Sequence, residues 1–235
     1  RHSFPTRRSS DLIAGTNEET NPEVAFARAR GQRVYVETCP QYLALDDGVY
    51  YDANWSMAAR YVCAPPIRAK EEQDALWKAL RRGEIQTIST DHCSFTLAQK
   101  DAGREDFTKI PGGLPGVETR GELIYSYGVA AKKLSLAQMC RVLSENPAKL
   151  YGLYPRKGVL APGSDADIVI YDPGDSHVIR AEDCVANVDY NPYEGFVTAG
   201  GIREVWLSGR KTVENGKVLD TVPAGIYLAR GKCDL

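Results

Sequence analysis

The sequence predicts an α/β fold in which parallel strands alternate with helices and a smaller β-rich module follows. Three observations carry that prediction. Segments with a 3.6-residue apolar period alternate with short β-branched runs that end in polar residues. Glycines stop the helical segments. Beyond residue 156 the helices give way to short strands separated by turn pairs.

The elements follow in order. Residues 1–12, RHSFPTRRSSDL, are rich in Arg and Ser and show no apolar period. They are expected to be a non-native or disordered leader, and His2 is assigned to no site. Asn21-Pro22 followed by Glu23 to Arg30 and Gly31 predicts a short helix with Asn21 as cap, Pro22 at its first position and Gly31 as stop. Arg33–Thr38 is a β-branched strand running into Cys39-Pro40. Ala64-Pro65-Pro66 is a rigid loop, because neither proline can donate to a ladder. Lys70–Arg82 reads as a helix with Leu76, Ala79 and Leu80 inward, closed by Gly83. Ile85–Thr90 reads as a short strand leading straight into Asp91-His92-Cys93. Helices are expected over Glu118–Ala131, from the capping box Ser135-Leu136-Ala137-Gln138 onward, and from Asn146-Pro147 to Gly152. Short strands are expected at 158–160, 168–171, 205–207 and 211–213, with Asn215-Gly216 as a hairpin signal.

Composition narrows the function classes. The chain has 235 residues, with 29 Lys and Arg against 31 Asp and Glu, a net charge of −2. That balance, without basic clusters, argues against nucleic acid or an anionic membrane as partner. No apolar run approaches the ~18 residues of a membrane span. The six cysteines, without CxxC pairs, are expected to be buried reduced thiols in a cytoplasmic protein.

Thr87 to Phe95, TISTDHCSF, is the segment that can carry chemistry. In parallel α/β folds reacting groups collect at the carboxyl ends of strands, where Asp91 and His92 stand. A strand-tip carboxylate can ligate a metal and accept a proton from bound water. The same residues suit a plainer role, with Asp91 capping a turn and His92 a satisfied structural histidine; one Asp-His pair leaves both open. A zinc site needs three or four ligands. His2 and His177 have no evident route to Asp91, His177 reads as a surface residue, and Cys93 reads as packing. Glu37, at a strand end, suits either tip chemistry or an acid paired with an Arg. The glycine-dense Gly112 to Gly116 lacks the Gly-Lys-Ser/Thr ending of a phosphate loop, and no Gly-x-Ser-x-Gly element supports a serine hydrolase.

Six ordered motifs carry a resemblance. GQRVYVETCPQYL (31–43), RYVCAPPIR (60–68), STDHCSF (89–95), FTKIPGGLPGVETR (107–120), SENPAKLYGLYPRKGVLAPGSDADIVIYDP (144–173) and NVDYNPYEGF (187–196) together resemble the dihydropyrimidinase/D-hydantoinase branch of the amidohydrolase superfamily. The likeness runs from about residue 24 nearly to the C-terminus. It implies a (β/α)8 barrel plus a small β-sandwich. Residues 13–155 would then be the C-terminal part of the barrel, 156–221 part of the sandwich, and 222–235 a tail reaching a neighbouring subunit. It implies two zinc ions held by a His-x-His pair, a carbamylated lysine, two further histidines and one aspartate, which Asp91 matches as metal ligand and catalytic residue. A metal-held hydroxide would attack the carbonyl of a small cyclic amide or ureide, and the aspartate would pass the proton to the leaving ring nitrogen. Family members are commonly tetramers.

The departures from the family pattern matter equally. The His-x-His strand, the lysine and the other histidines precede the matched region, and Ile13–Asn21 contains no His. Only the last two barrel strands are expected, near Val34–Glu37 and Ile85–Thr90. The family's substrate-contacting serine is Ala64 here, and its loop asparagine is Gly112, both positions that act largely through backbone. The chain alone is therefore expected to be inactive and to need partners or aggregate. A non-catalytic scaffold like the collapsin response mediator proteins, or an allantoinase-like cyclic amidase, are the alternative readings.

Overall fold

The computed structural model describes residues 11–15, 20–220 and 225–235; side chains are described from Gly15 and then from Pro22 onward. The expected leader lies outside them except for Asp11 and Leu12, which open the first strand.

Three strands form a parallel sheet in the order β1-β2-β3: β1 (Asp11–Ala14), β2 (Val34–Thr38) and β3 (Thr87–Ile88). Besides the two parallel strands expected from the sequence, a third, β1, is present. β1 has little strand signal of its own; it exists by pairing Asp11 to Ala14 with Val34 to Glu37, and Gly15 extends the pairing by donating to the Glu37 carbonyl at 2.6 Å. The expected strand over 85–90 is also shorter, since only Thr87 and Ile88 pair with β2.

Helices cross between the strands. α1 (Thr20–Ala29) precedes β2, and Gly31 follows it with φ +77°. Its Arg28 donates to the Val34 and Glu84 carbonyls and to the Gln86 side chain, tying the helix to the starts of β2 and β3. α2 (Pro40–Ala44) and α3 (Trp55–Ala59) are single turns. α4 (Lys70–Arg82) ends at Gly83, φ +77°, the left-handed stop that glycine tolerates best. Leu76, Ala79 and Leu80 are buried as the period predicted. They pack with Val34 and Val36 of β2 and with Trp77, Ile85, Ile88, Ile124 and Val142. Each large side chain buried there contributes ~1.5–3 kcal/mol.

α5 (Leu97–Asp101) and α7 (Leu136–Cys140) both start with capping boxes, at Thr96/Gln99 and Ser135/Gln138. α6 (Arg120–Ile124) continues in π geometry to Ala130, and α7 likewise to Glu145, before α8 (Asn146–Leu150).

An antiparallel sheet follows, ordered β4 (Ile168–Asp172), β5 (Gly201–Leu207), β6 (Arg210–Glu214) and β7 (Lys217–Val218). Its two tight turns, Ser208-Gly209 and Asn215-Gly216, have positive φ at both central residues, the turn whose twist matches a hairpin. No strand forms at 158–160. Gly158 sits at φ +84° against Ala148, and Arg156 and Lys157 pair with Asp165, so the stretch is an ion-paired loop.

This sheet and the segment joining β4 to β5 are fastened to the preceding helices through α6 and the residues flanking it. The Glu118 carboxylate accepts from the Val185 and Ala186 amides, Glu122 from the Ile202 amide at 3.1 Å, and Ser126 from the Ala199 amide at 2.8 Å. Leu45, Ile67, Leu114, Leu123, Ile179 and Tyr193 form a second core there. The tail segment 225–235 lies along its own chain: the Gly231 amide donates to Gly152, and the Tyr35 hydroxyl to the Leu235 carbonyl.

Candidate functional site

In a parallel sheet all strands present their carboxyl ends on one side, so Gly15, Thr38 and Ser89-Thr90 mark one rim. The β3 exit is held firmly. The Ser89 amide donates to the Thr38 carbonyl at 3.0 Å, and the Gln41 side chain donates to the Thr90 carbonyl at 3.3 Å. Asp91 follows at φ +48°, a left-handed conformation that aspartate tolerates better than most residues but still at a cost. Its side chain is exposed, and no hydrogen bond or ion pair engages its carboxylate among the described residues. The turn-capping role open to it from sequence is therefore not the one it plays.

His92 does take the plainer role. Its Nδ1 accepts from the Gly116 amide at 3.1 Å and from the Val117 amide at 3.3 Å. That geometry requires a lone pair on Nδ1, so the ring tethers the glycine-dense loop rather than offering this nitrogen to a metal. The neighbouring Cys93 amide donates to the Leu114 carbonyl at 3.0 Å.

Two loops converge beside this tip. The rigid Ala64-Pro65-Pro66 segment is held by the Tyr42 hydroxyl, which donates to the Pro65 carbonyl at 3.0 Å, and by Tyr50, whose hydroxyl accepts from the Ile67 amide at 2.9 Å. The second loop carries Gly112 and Gly113. A Cβ built on Gly112 would meet the Ala64 nitrogen at 3.9 Å, so the two candidate substrate-facing residues are neighbours. Both are exposed, as Asp91 is. Gly113 is buried, and its amide donates to the Val62 carbonyl at 3.0 Å. A Cβ on Gly113 would overlap Cys93, which places this loop against the residue two beyond Asp91.

The residue that sequence reasoning missed is Lys100. It is wholly buried, and its Nζ donates to the carbonyls of Val62, Pro111 and Gly113 at 2.7, 2.7 and 2.8 Å. Burial lowers its pKa to about 8. Nothing in the local sequence signals this, because lysine is almost always exposed.

The other candidates fall out as follows. Glu37 accepts from the Thr87 hydroxyl at 3.0 Å and faces Arg120, whose guanidinium burial disfavours and Glu37 supports. His177 is exposed and stands 3.4 Å from Glu122. The cysteines are all free, but only Cys39 is buried, while Cys93 and Cys140 are exposed. The expectation of buried thiols is corrected accordingly: Cys93 is exposed although its side chain also meets Gly113, and Cys140 is exposed at the end of α7. Burial pushes the Cys39 thiol up to about 12.

The described residues do not by themselves fit the zinc pair that the resemblance implies. Among the described residues no group of three or more His, Cys, Asp or Glu gathers where an ion could sit. Asp91 has the uncommitted oxygen chemistry of one ligand, and the described chain supplies no complete site. No helix among the described residues is long and apolar enough to cross a membrane.

Comparison with known proteins bears on this geometry. The amidohydrolase family model matches residues 13–212. The chain is 43% identical over 211 residues to a D-hydantoinase of Geobacillus stearothermophilus, covering 89% of this chain and 45% of that protein. It is 42% identical over 206 residues to a D-phenylhydantoinase of Escherichia coli, covering 87% and 44%. The crystal structure of a dihydropyrimidinase from Brevibacillus agri superposes with a TM-score of 0.85 at 42% identity, covering 89% of this chain and 45% of that one. An L-hydantoinase from Arthrobacter aurescens superposes at 0.81 with 32% identity, covering 89% and 46%. The chain spans about 45% of the length of the curated relatives it matches.

Proposed function

Since the chain belongs to the amidohydrolase family, we propose that it forms part of a hydrolase opening cyclic amide rings of the dihydropyrimidine or 5-substituted hydantoin kind. The observation that carries this reading is the exposed, uncommitted Asp91 carboxylate past a parallel strand tip, two residues before Cys93, against which the loop of Gly112 and Gly113 packs, with Gly112 neighbouring Ala64. The hydantoinase and dihydropyrimidinase relatives support the same chemistry.

In this reading Asp91 is one ligand of a two-zinc site whose other ligands lie outside the described residues. Zinc there would polarise the amide carbonyl and lower the pKa of water. Asp91 takes the proton of the attacking water and returns it to the leaving ring nitrogen, one carboxylate serving as base and then as acid. Ala64 and Gly112 offer main-chain groups to the ring, so the loss of side-chain function at both leaves binding possible and alters which ring is preferred. The chain alone turns over no substrate, because one carboxylate does not hold two zinc ions. A tetrameric assembly and a cytoplasmic location, which the free thiols fit, belong to the same reading.

The test is complementation. The chain is mixed with the N-terminal half of the Geobacillus D-hydantoinase and zinc, and ring opening of hydantoin and dihydrouracil is followed. Activity is expected only in the mixture, and Asp91→Asn should lower it by ~10²-fold or more. Turnover by the chain alone at the rate of a full-length relative, or full activity with Asp91→Asn, would overturn the proposal.

A further inference from the structure

Lys100 stands among neighbours that do not explain why a charge was buried there. Its ammonium has three N–H donors, and all three are used on the carbonyls of Val62, Pro111 and Gly113. No carboxylate among the described residues pairs with it. The titratable groups that face it are the Cys63 and Cys93 thiols, and the Phe95 ring lies 5.6 Å away. An uncompensated buried charge is costly, and three orphaned carbonyls would be costly too. The arrangement resolves both at one point, where the two loops meet.

Each acceptor belongs to a segment that matters. Val62 precedes Ala64 by two residues, and Pro111 and Gly113 flank Gly112. The amine comes from a third direction, on α5, whose start is fixed by its capping box. Its far end is pinned where Gly103 meets Ile110: a Cβ there would lie 2.6 Å from the Ile110 nitrogen. The clamp is thus anchored at both ends of its helix.

We propose that Lys100 is a positioning residue, whose buried ammonium clamps the Ala64 loop to the Gly112 loop and so sets the spacing of the surface offered to a ring substrate. The clamp itself stands on the hydrogen bonds; its meaning for substrate rests on the ring-opening reading above.

The test is amide hydrogen exchange on the whole chain, without metal or substrate, so that it succeeds or fails independently of the catalytic reading. The informative amides are Gly113, bonded to Val62, and Cys93, bonded to Leu114. The internal controls are the β5–β6 ladder amides. Lys100→Met keeps the length and removes the donors. It should speed exchange at Gly113 and Cys93 at least ~10-fold while the β5–β6 amides hold their protection. Unchanged exchange at both amides would overturn the proposal, and so would an equal loss at β5–β6, which marks a general stability role. If Lys100→Met does not fold, the unsubstituted chain answers by a pH series through about 8. A neutral amine has two N–H groups for three carbonyls, so protection corrected for intrinsic exchange should fall at Gly113 and not at β5–β6. A flat profile at Gly113 across that range would overturn the clamp.

Discussion

Gly112 and Gly113 are adjacent in sequence, yet alanine should have opposite consequences at the two. At Gly113 φ is +153°, and a Cβ would lie 2.5 Å from the Cys93 carbonyl oxygen and 2.7 Å from its Cβ. The obstacle is backbone, so no side-chain rotation relieves it. Keeping the loop in place would cost ~1–3 kcal/mol in backbone strain and a further ~1–3 kcal/mol in overlap. Moving the loop instead breaks the Gly113-to-Val62 and Cys93-to-Leu114 hydrogen bonds, at ~1 kcal/mol each, and disturbs the Lys100 contact with Gly113. The cheaper route sets the cost, so Gly113→Ala should destabilise by ~2–3 kcal/mol. At Gly112 nothing lies nearer than the Ala64 nitrogen at 3.9 Å, and alanine should change stability by less than ~0.5 kcal/mol. The assay is urea unfolding followed by tryptophan fluorescence and far-UV circular dichroism together. Gly113→Ala within ~0.5 kcal/mol of the parent would refute the argument that the loops are locked backbone to backbone.

Four further outcomes are expected. Asp91→Gly relieves the left-handed strain and should raise stability by up to ~1 kcal/mol in urea unfolding, while removing ring opening from the complemented enzyme. Leu80→Ala, at 2% exposure in the main core, should cost ~2–5 kcal/mol by the same measurement. Asn215→Ala, at φ +49° in the β6–β7 hairpin, should cost ~1 kcal/mol, seen as a lower urea midpoint. The Cys39 thiol carries an alkaline dependence: burial raises it from about 9 to about 12, so the unfolded chain ionises first. Its contribution is complete below pH 9 and lost as pH rises from 9 towards 12. Cys39→Ala should therefore flatten the fall of the urea midpoint over that window, and an unchanged slope would contradict the burial argument.

Much of the framework was legible from local signals. α4 was readable to its last residue because its apolar period and its terminal glycine act within one segment. The capping box at Ser135 and the hairpin at Asn215-Gly216 were legible for the same reason. β1 was not, since its residues gain strand geometry only by pairing with β2. The strand expected at 158–160 failed because Gly158 adopts a positive φ set by packing on Ala148 and by the ion pairs around it. Cysteine burial was misjudged at positions 93 and 140, where exposure depends on what the rest of the chain leaves uncovered.

The site divides in the same way. By itself the sequence determined that Asp91 follows a strand, that Ala64 sits before a rigid Pro-Pro turn, and that Gly112 lies in a glycine-dense loop. These follow from φ limits and missing donors, which act over a few residues. Only the tertiary structure decided that His92 serves the glycine loop and leaves Asp91 uncommitted, and that a lysine belonging to neither loop joins them. Those outcomes depend on which carbonyls and amides folding leaves without partners, and that sum is settled only when segments distant in the chain are brought together.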